Sequence, residues 1–360
     1  MRECLKLAER GKGRVSPNPL VGTVLVRGNK VVARGWHKRF GGPHAEVECL
    51  QNYKGSVRNA TLYVNIEPCN HVGKTPPCVD LILERGIERV VVAMKDPNPL
   101  VSGKGIAKLK RNRVEVELGV LGEEARQLNR FFIRHIADKI PYVHLKLAQT
   151  TNGFIARNNR AMKYISANAS RKLVHQWRTE YDAVLVGAGT IKADDPLLDT
   201  RLAKGRSPAV IILDGNLSVS GNERVFSSAR NRRVLICTSL QAFAMNLEKV
   251  LTLSEKGAQF VLEGIVRRKL SLKRTLRKLY EANVGSILVE GGADVFSQFI
   301  LANMVDELSI FIAPIKFSSG VPAMTNPARR RLENYLKEGE TVASLVGRDL
   351  LIHSQVTPYH

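Results

Sequence analysis

Apolar and polar positions along the first 140 residues fall into blocks that switch between a period of two and a period near 3.6. Residues 20–26 and 30–33 read as the two strands of a hairpin turning at Gly28-Asn29. Residues 45–51 carry a helical pattern, 61–66 are a short β-rich run, and 79–85 are helical with Gly86 as the stop. Residues 89–94 are a continuous apolar run that predicts a buried strand, and 123–137 have helical periodicity. Such alternation predicts an α/β sandwich. Ile140-Pro141 is a joint, after which the pattern restarts. Strands are predicted at 142–150, 183–186, 209–213, 234–238, 286–289 and 307–312, with helices at 169–180, 268–282 and 294–303. The expectation is two α/β domains, residues 1–139 and 140–360, with no internal repeat and no low-complexity segment.

Composition changes this picture little. Of 360 residues, 44% are apolar and 24% charged, enough for an ordinary core in each half. No apolar run reaches the roughly 18 residues that span a bilayer. The first six residues have neither an apolar core nor a small-residue cleavage site, so no signal peptide and no membrane are expected. The five cysteines do not form a disulfide framework, which points to the cytoplasm.

Charge adds more. The net charge is +22, and the pI is about 10.0. Residues 1–150 hold 26 basic and 14 acidic side chains, and the remainder hold 29 and 19, so the excess is spread along the chain. Its densest stretch, Arg267-Arg268-Lys269 with Lys273-Arg274 and Arg277-Lys278, is interleaved with Leu270, Leu272, Leu276 and Leu279. That pattern suits an amphipathic helix with a solvated basic face. Aromatic residues make up only 6%, few platforms for stacking bases. Phosphate-bearing small molecules are therefore the expected partners, with no dedicated nucleic acid.

The chemistry concentrates in the first domain. Pro43-His44-Ala45-Glu46 opens a helical stretch, and Glu67-Pro68-Cys69 is followed eight residues later by Cys78. Each fragment alone is common, whereas the ordered set with a proline before each cysteine is specific. Two thiolates and one neutral imidazole bring zinc to formal neutrality and leave a fourth position for water, whose pKa the metal lowers. Glu46 is a poor fourth ligand for such a set but suits proton transfer during removal of an amino group from a ring carbon. His44, Cys69 and Cys78 are thus the expected ligands of one zinc, and Glu46 the catalytic acid–base. Cys49 lies about 140° round the helix from His44, at 3.6 residues per turn, and is assigned to the core with Cys4 and Cys237. The alternative is a structural zinc knot, with His71 as fourth ligand.

Ser16-Pro17-Asn18-Pro19-Leu20-Val21-Gly22, Gly35-Trp36-His37, His44-Ala45-Glu46-Val47, residues 67–78 with their Gly73-Lys74-Thr75-Pro76-Pro77 spacer, and Lys95-Asp96-Pro97-Asn98-Pro99 resemble the bifunctional riboflavin-biosynthesis deaminase/reductase family. The second half resembles that family at 145–148, 164–166, 174–178, 186–190, 193–196, Arg201 and 289–292. The resemblance covers nearly the whole chain. It implies a cytidine-deaminase-like three-layer α/β/α domain followed by a dihydrofolate-reductase-like α/β domain. It also implies a diaminopyrimidinone ribosylamino phosphate as substrate and NADPH as second cofactor, and a homo-oligomer is expected. By family position Asn18, His37, His71, Lys74, Asp96 and Asn98 line the deaminase substrate. Ala148, Tyr164, Thr190, Asp194 and Gly292 touch NADPH, and Lys146, Arg178, Leu198, Arg201 and Glu290 touch the sugar phosphate.

Three positions depart from the family pattern. Asn152 stands where an Asp is usual, Met162 near the expected substrate phosphate where a Ser is frequent, and Gly215 where a Ser is frequent. Each lost neutral hydrogen bond weakens binding by roughly 0.5–1.5 kcal/mol, which leaves an active reductase with reduced substrate affinity. The rival readings are a deaminase with an inactive second domain, an RNA-editing deaminase, and a non-enzymatic zinc module that binds nucleic acid.

Overall fold

The structure is a computed structural model and describes residues 1–70, 76–158, 164–266 and 269–356. It divides into two compact units, one ending at Lys139 and the next starting at Ile140.

The first unit contains, in chain order, α1 (Arg2–Glu9), β1 (Gly22–Arg27), β2 (Lys30–Trp36), α2 (Ala45–Gln51), β3 (Ala60–Ile66), α3 (Cys78–Glu84), β4 (Arg89–Met94), α4 (Lys104–Arg111), β5 (Glu115–Leu118), α5 (Gly122–Leu128) and α6 (Arg130–Asp138). Its five-stranded sheet has the order β2-β1-β3-β4-β5. β1 is antiparallel to both neighbours, and β3, β4 and β5 are parallel.

Two glycines explain how helices cover both faces. Gly22 pairs with Trp36 and Gly35 with Thr23, so the two glycines point to opposite faces. A Cβ on Gly22 would lie 2.1 Å from the Cys4 carbonyl of α1, and one on Gly35 would lie 2.2 Å from the Ala45 carbonyl of α2. Only glycine permits either approach. The α2 face buries Leu25, Leu62, Val64, Val90 and Val92 against Cys49, Ile82 and Leu109. The α1 face buries Val24 against Cys4 and Leu7.

The single helix expected over 123–137 is two helices. The break is Asn129, whose Oδ1 accepts from Leu20 N at 2.7 Å while its Nδ2 donates to Leu20 O at 3.1 Å. A buried amide that satisfies both backbone groups of another segment outweighs one more turn of helix.

The second unit runs β6 (Tyr142–Thr150), β7 (Phe154–Ala156), α7 (Asn168–Glu180), β8 (Ala183–Gly187), α8 (Ala188–Asp194), β9 (Ala209–Leu213), β10 (Val234–Ser239), α9 (Leu240–Met245), α10 (Leu247–Glu255), β11 (Ala258–Glu263), β12 (Ile265–Val266), β13 (Lys269–Leu270), α11 (Leu272–Glu281), β14 (Ser286–Val289), α12 (Ala293–Leu301), β15 (Glu307–Ala313), β16 (Val321–Pro322), α13 (Asn326–Glu338), β17 (Glu340–Val346) and β18 (Asp349–Gln355). The nine-stranded sheet has the order β11-β10-β9-β8-β14-β6-β15-β18-β17. It is parallel from β11 to β15, and β18 and β17 close it antiparallel. Leu145, Leu185, Ile211, Ile287 and Leu308 belong to one apolar core with Phe296 and Phe299 of α12.

The helix expected from residue 268 starts at Leu272 instead, because Lys269–Leu270 pairs with Ile265–Val266 as a short antiparallel ribbon. Its basic face is only partly solvated. Arg274 Nε lies 3.0 Å from Glu263 Oε1 and Lys278 Nζ lies 3.3 Å from Oε2, and that carboxylate has no exposed surface.

Candidate active site

In the first unit, chemistry gathers where parallel strands end. β3 and β4 are in register at Ile66 and Met94, so the segments after them leave the sheet side by side. One carries Cys69 and the other Asp96. His44 caps α2, and Cys78 is the first residue of α3. The Nδ1 atom of His44 lies 3.3 Å from Cys78 Sγ and 3.5 Å from Cys69 Sγ. All three ligand atoms lie within 4.8 Å of one another. Zinc bonds of about 2.0–2.3 Å in a tetrahedron imply ligand-to-ligand edges of about 3.5 Å, so this donor set fits the metal in both chemistry and spacing.

Cys69 is held down to about 4, first by the hydrogen bond from Cys78 and then by His44, while Cys78 is pushed well up by the same bond and by burial. A divalent cation is what lets both ionise together. The Cys78 backbone N–H also donates to Cys69 Sγ at 3.3 Å.

Glu46 is the second residue of α2, with 3% of its surface exposed. Burial, then the charge of Cys69, lifts its carboxyl to about 7. It is therefore poised to hold or release a proton near neutrality.

These groups open into a cavity of about 260 Å³ lined by Asn18, His37, His44, Glu46, Cys69, Asp96 and Asn98 among others. His37 Nδ1 donates to Pro43 O at 2.9 Å, so its Nε2 is the acceptor for Asn18 Nδ2 at 3.1 Å. Burial lowers the His37 pKa, which keeps this tautomer neutral. Asp96 accepts from Asn98 N at 2.8 Å, and Asn98 Oδ1 accepts from Leu100 N at 3.0 Å. The turn expected from Asp96-Pro97-Asn98-Pro99 and the cavity wall are thus one object. Burial, then the Glu67 and Cys69 charges, pushes Asp96 up to about 7. His71 and Lys74 lie outside the described residues.

Glu67 was not singled out from sequence. Buried directly before Pro68-Cys69, it accepts from Gly103 N at 2.8 Å and Ile106 N at 3.1 Å, with Asp96 N at 3.4 Å. It ties the ligand-bearing segment to the loop that carries Asp96 and Asn98. A carboxylate ending an otherwise apolar strand, beside a ligand, was the available signal. Phe40 and Phe132 also line the cavity, and no local pattern marks them.

In the second unit, β8 and β14 are parallel neighbours, and the segments after them meet. A Cβ on Gly292 would lie 3.3 Å from Thr190 Oγ1, which places these two expected cofactor residues together. Ala148 lies on β6 opposite Phe311, Asp194 ends α8, and Tyr164, before α7, stacks under the Arg171 guanidinium at 4.3 Å.

Among the expected substrate residues, Arg178 and Glu290 form a two-point ion pair at 2.6 and 2.8 Å. Arg178 Nη1 also donates to Asp199 O at 2.8 Å. Burial lowers the Lys146 pKa, opposed by the charge of Glu290 nearby. Arg201 pairs with Asp199, and Leu198 sits at φ +53° with its carbonyl taken by Arg232. His175, within reach of Leu202 N at 3.4 Å, joins this cluster unanticipated.

The departures divide. Asn152 donates from Nδ2 to Phe317 O at 2.7 Å, and its Oδ1 accepts from Phe317 N at 3.3 Å and Thr150 Oγ1 at 2.9 Å. An aspartate could not make the first of these bonds, so the amide has a structural use of its own. Gly215 presents its backbone carbonyl to Ser239 N at 3.1 Å. Met162 lies outside the described residues.

Comparison with known proteins agrees with both units. Residues 1–94 match the model for the cytidine and deoxycytidylate deaminase zinc-binding region, and residues 141–344 match the RibD C-terminal domain. The riboflavin biosynthesis protein RibD of Aquifex aeolicus is 40% identical over 98% of this chain and 96% of its own. That of Escherichia coli K12 is 31% identical over 98% and 97%. A diaminohydroxyphosphoribosylaminopyrimidine deaminase/5-amino-6-(5-phosphoribosylamino)uracil reductase from Thermotoga maritima is similar in structure, with TM-score 0.84 and 37% identity over 99% of this chain and 97% of that one. RibD of Acinetobacter baumannii superposes with TM-score 0.83 at 28% identity, covering 99% and 98%. The cytidine-deaminase-like and dihydrofolate-reductase-like folds expected of the two domains are those of these relatives. This chain belongs to the RibD family of riboflavin biosynthesis proteins.

Proposed function

We propose that this protein carries out two steps of riboflavin biosynthesis on one phosphorylated pyrimidine. The first unit hydrolyses the 2-amino group of 2,5-diamino-6-(5-phosphoribosylamino)pyrimidin-4-one to give 5-amino-6-(5-phosphoribosylamino)uracil and ammonia. The second unit reduces the ribosyl group of that product to ribityl, with NADPH as hydride donor. The observation that carries the reading is the cluster of His44, Cys69 and Cys78 at the wall of a cavity that His44, Cys69 and the buried Glu46 line.

His44, Cys69 and Cys78 would hold zinc, which would supply a water activated for attack at neutral pH. Glu46 takes the two protons of that water in turn, passing the first to the ring nitrogen and the second to the leaving amine. The neutral His37, fixed by Pro43 and Asn18, and the Asp96–Asn98 turn orient the heterocycle and its ribose. The family resemblance assigns His71 and Lys74 to the same substrate. In the second unit the ends of β8 and β14 would hold NADPH through Thr190 and Gly292, with Ala148, Tyr164 and Asp194 extending that surface. Lys146, Arg178, Leu198, Arg201 and Glu290 face the sugar phosphate.

The RNA-editing and zinc-module alternatives have no observation in their favour. No helix among the described residues is long and apolar enough to cross a membrane. The reading places a homo-oligomer in the cytoplasm, where thiols such as Cys69 and Cys78 stay reduced. The decisive experiment incubates purified protein with the diaminopyrimidinone phosphate, with and without NADPH, and reads products by mass spectrometry. Exchange of NH for O without NADPH, followed by gain of two hydrogens with it, is the expected sequence. The first change alone, at saturating NADPH, would leave a deaminase with an inactive second domain.

A further inference from the structure

A second cluster of ligand-type side chains lies in the nine-stranded sheet, on three adjacent strands. His144 of β6 pairs across the sheet with Glu307 of β15, and Ser309 of β15 pairs with His353 of β18. Residues 307 and 309 are two apart, so all four side chains share one face. His144 Nδ1 lies 3.6 Å from Glu307 Oε1, and His353 Nε2 lies 3.7 Å from that same oxygen. The three ligand atoms lie within 4.8 Å of one another.

The atoms pointing away from that centre are held. Ser309 Oγ sits 2.8 Å from His144 Nε2 and 3.0 Å from His353 Nδ1, touching the far nitrogen of each ring. When both far nitrogens donate to the hydroxyl oxygen, both near nitrogens turn lone pairs toward Glu307 Oε1. The other carboxylate oxygen accepts from Tyr142 OH at 2.8 Å. Two imidazole lone pairs and a carboxylate oxygen therefore converge, each oriented from behind in the way that outer partners orient metal ligands. Tyr181 OH, 2.8 Å from His144 Nδ1, also reaches Glu307 Oε2 at 3.5 Å, so it has a second acceptor when the nitrogen is taken.

We propose that His144, Glu307 and His353 form a second metal site, for a divalent first-row transition cation of the zinc type. A two-nitrogen, one-oxygen donor set favours such ions over magnesium or calcium. Bonds of about 2.0–2.2 Å span ligand edges of about 3.4 Å, close to the two carboxylate edges seen. The imidazole–imidazole edge closes by a tilt of His353, whose side chain is 37% exposed, while His144 is buried. The cation would clamp β6, β15 and β18, and so fix the antiparallel end of the sheet. Nothing in this proposal depends on the residues of the deaminase centre.

The test uses tag-free full-length protein with its His44–Cys69–Cys78 site already filled by zinc, titrated with cobalt(II). A second equivalent should bind, with d–d absorption and no thiolate charge-transfer band, and should raise the thermal midpoint. Glu307→Gln and His353→Gln should each abolish that equivalent and the thermal shift. Ser309→Ala should weaken it by about 10–100-fold, the usual effect of losing an outer partner. Unchanged NADPH oxidation in the His353→Gln protein verifies that its second unit is folded. The proposal is overturned when wild-type protein takes up no second equivalent, which would mean that a proton on one histidine satisfies Glu307. Uptake that survives both ligand substitutions overturns it as well.

Discussion

The guanidinium of Arg178 grips the carboxylate of Glu290 at two points, Nε to Oε1 at 2.6 Å and Nη2 to Oε2 at 2.8 Å, and both side chains are at most 10% exposed. Burial alone would raise the Glu290 pKa, yet Arg178 and then Lys146 hold it below the usual carboxylate range. Glu290 directly follows β14 and Arg178 lies in α7, so the pair fixes the end of a central strand against a helix.

Arg178→Lys keeps the charge and loses the fork. Hydrogen bonds to charged groups are worth roughly 1.5–3 kcal/mol each, so reductase kcat/KM should fall about 10–100-fold. NADPH oxidation with the deaminated intermediate measures this. Deaminase turnover should be unchanged, and an equal fall in both activities would point to unfolding.

Cys78→Ala should strip zinc from the deaminase centre. It removes one of three donors and the hydrogen bond that does most to hold the Cys69 pKa down. Metal analysis of the centre and ammonia release should fall together while NADPH oxidation continues. Full zinc occupancy with full turnover would refute the ligand assignment.

Glu46→Gln preserves size and removes proton transfer. General acid–base catalysis contributes roughly 10²–10⁴-fold, and ammonia release should drop within that range with zinc retained. A drop of less than about tenfold would place the proton elsewhere.

The zinc centre is legible in sequence because few residue types bind the metal, and their order and proline neighbours survive without knowledge of the fold. Strands such as Arg89–Met94 and Ala209–Leu213 are legible because β-branched runs leave few other options. Glu67 is not, since its role exists only once residues 96–106 fold back over it. The break at Asn129 depends on Leu20, more than one hundred positions away. β17 escapes notice because residues 340–345 are exposed on both faces and carry no period of two. The buried Glu263 is the partner of both Arg274 and Lys278, so a basic stretch that reads as solvated is partly neutralised.

Glu67→Gln tests whether a carboxylate positions the cavity wall. Glutamine keeps one acceptor oxygen but turns an NH₂ toward backbone N–H donors that a carboxylate satisfied. The misplaced Asp96–Asn98 loop should raise the deaminase KM more than it lowers kcat, with zinc content intact. Equal loss of zinc and turnover would instead assign Glu67 to supporting Cys69.

The last prediction concerns His175, which faces Arg178 and Arg201. Burial, then those two charges, lowers its pKa from 6.5 to about 4. Between those values the unfolded chain binds a proton that the folded chain refuses. Where the unfolded state binds more protons, stability rises with pH. His175 should therefore cost stability progressively as pH falls from about 6.5 to about 4, and have no pH-dependent effect above or below that window. His175→Gln keeps a hydrogen-bonding side chain and removes the titration. The thermal midpoint of wild type minus that of the variant should grow as pH rises through the window and level off above it. A difference that stays flat from pH 4 to pH 7 would show that His175 titrates alike in the folded and unfolded chain, and that the two arginines do not act on it.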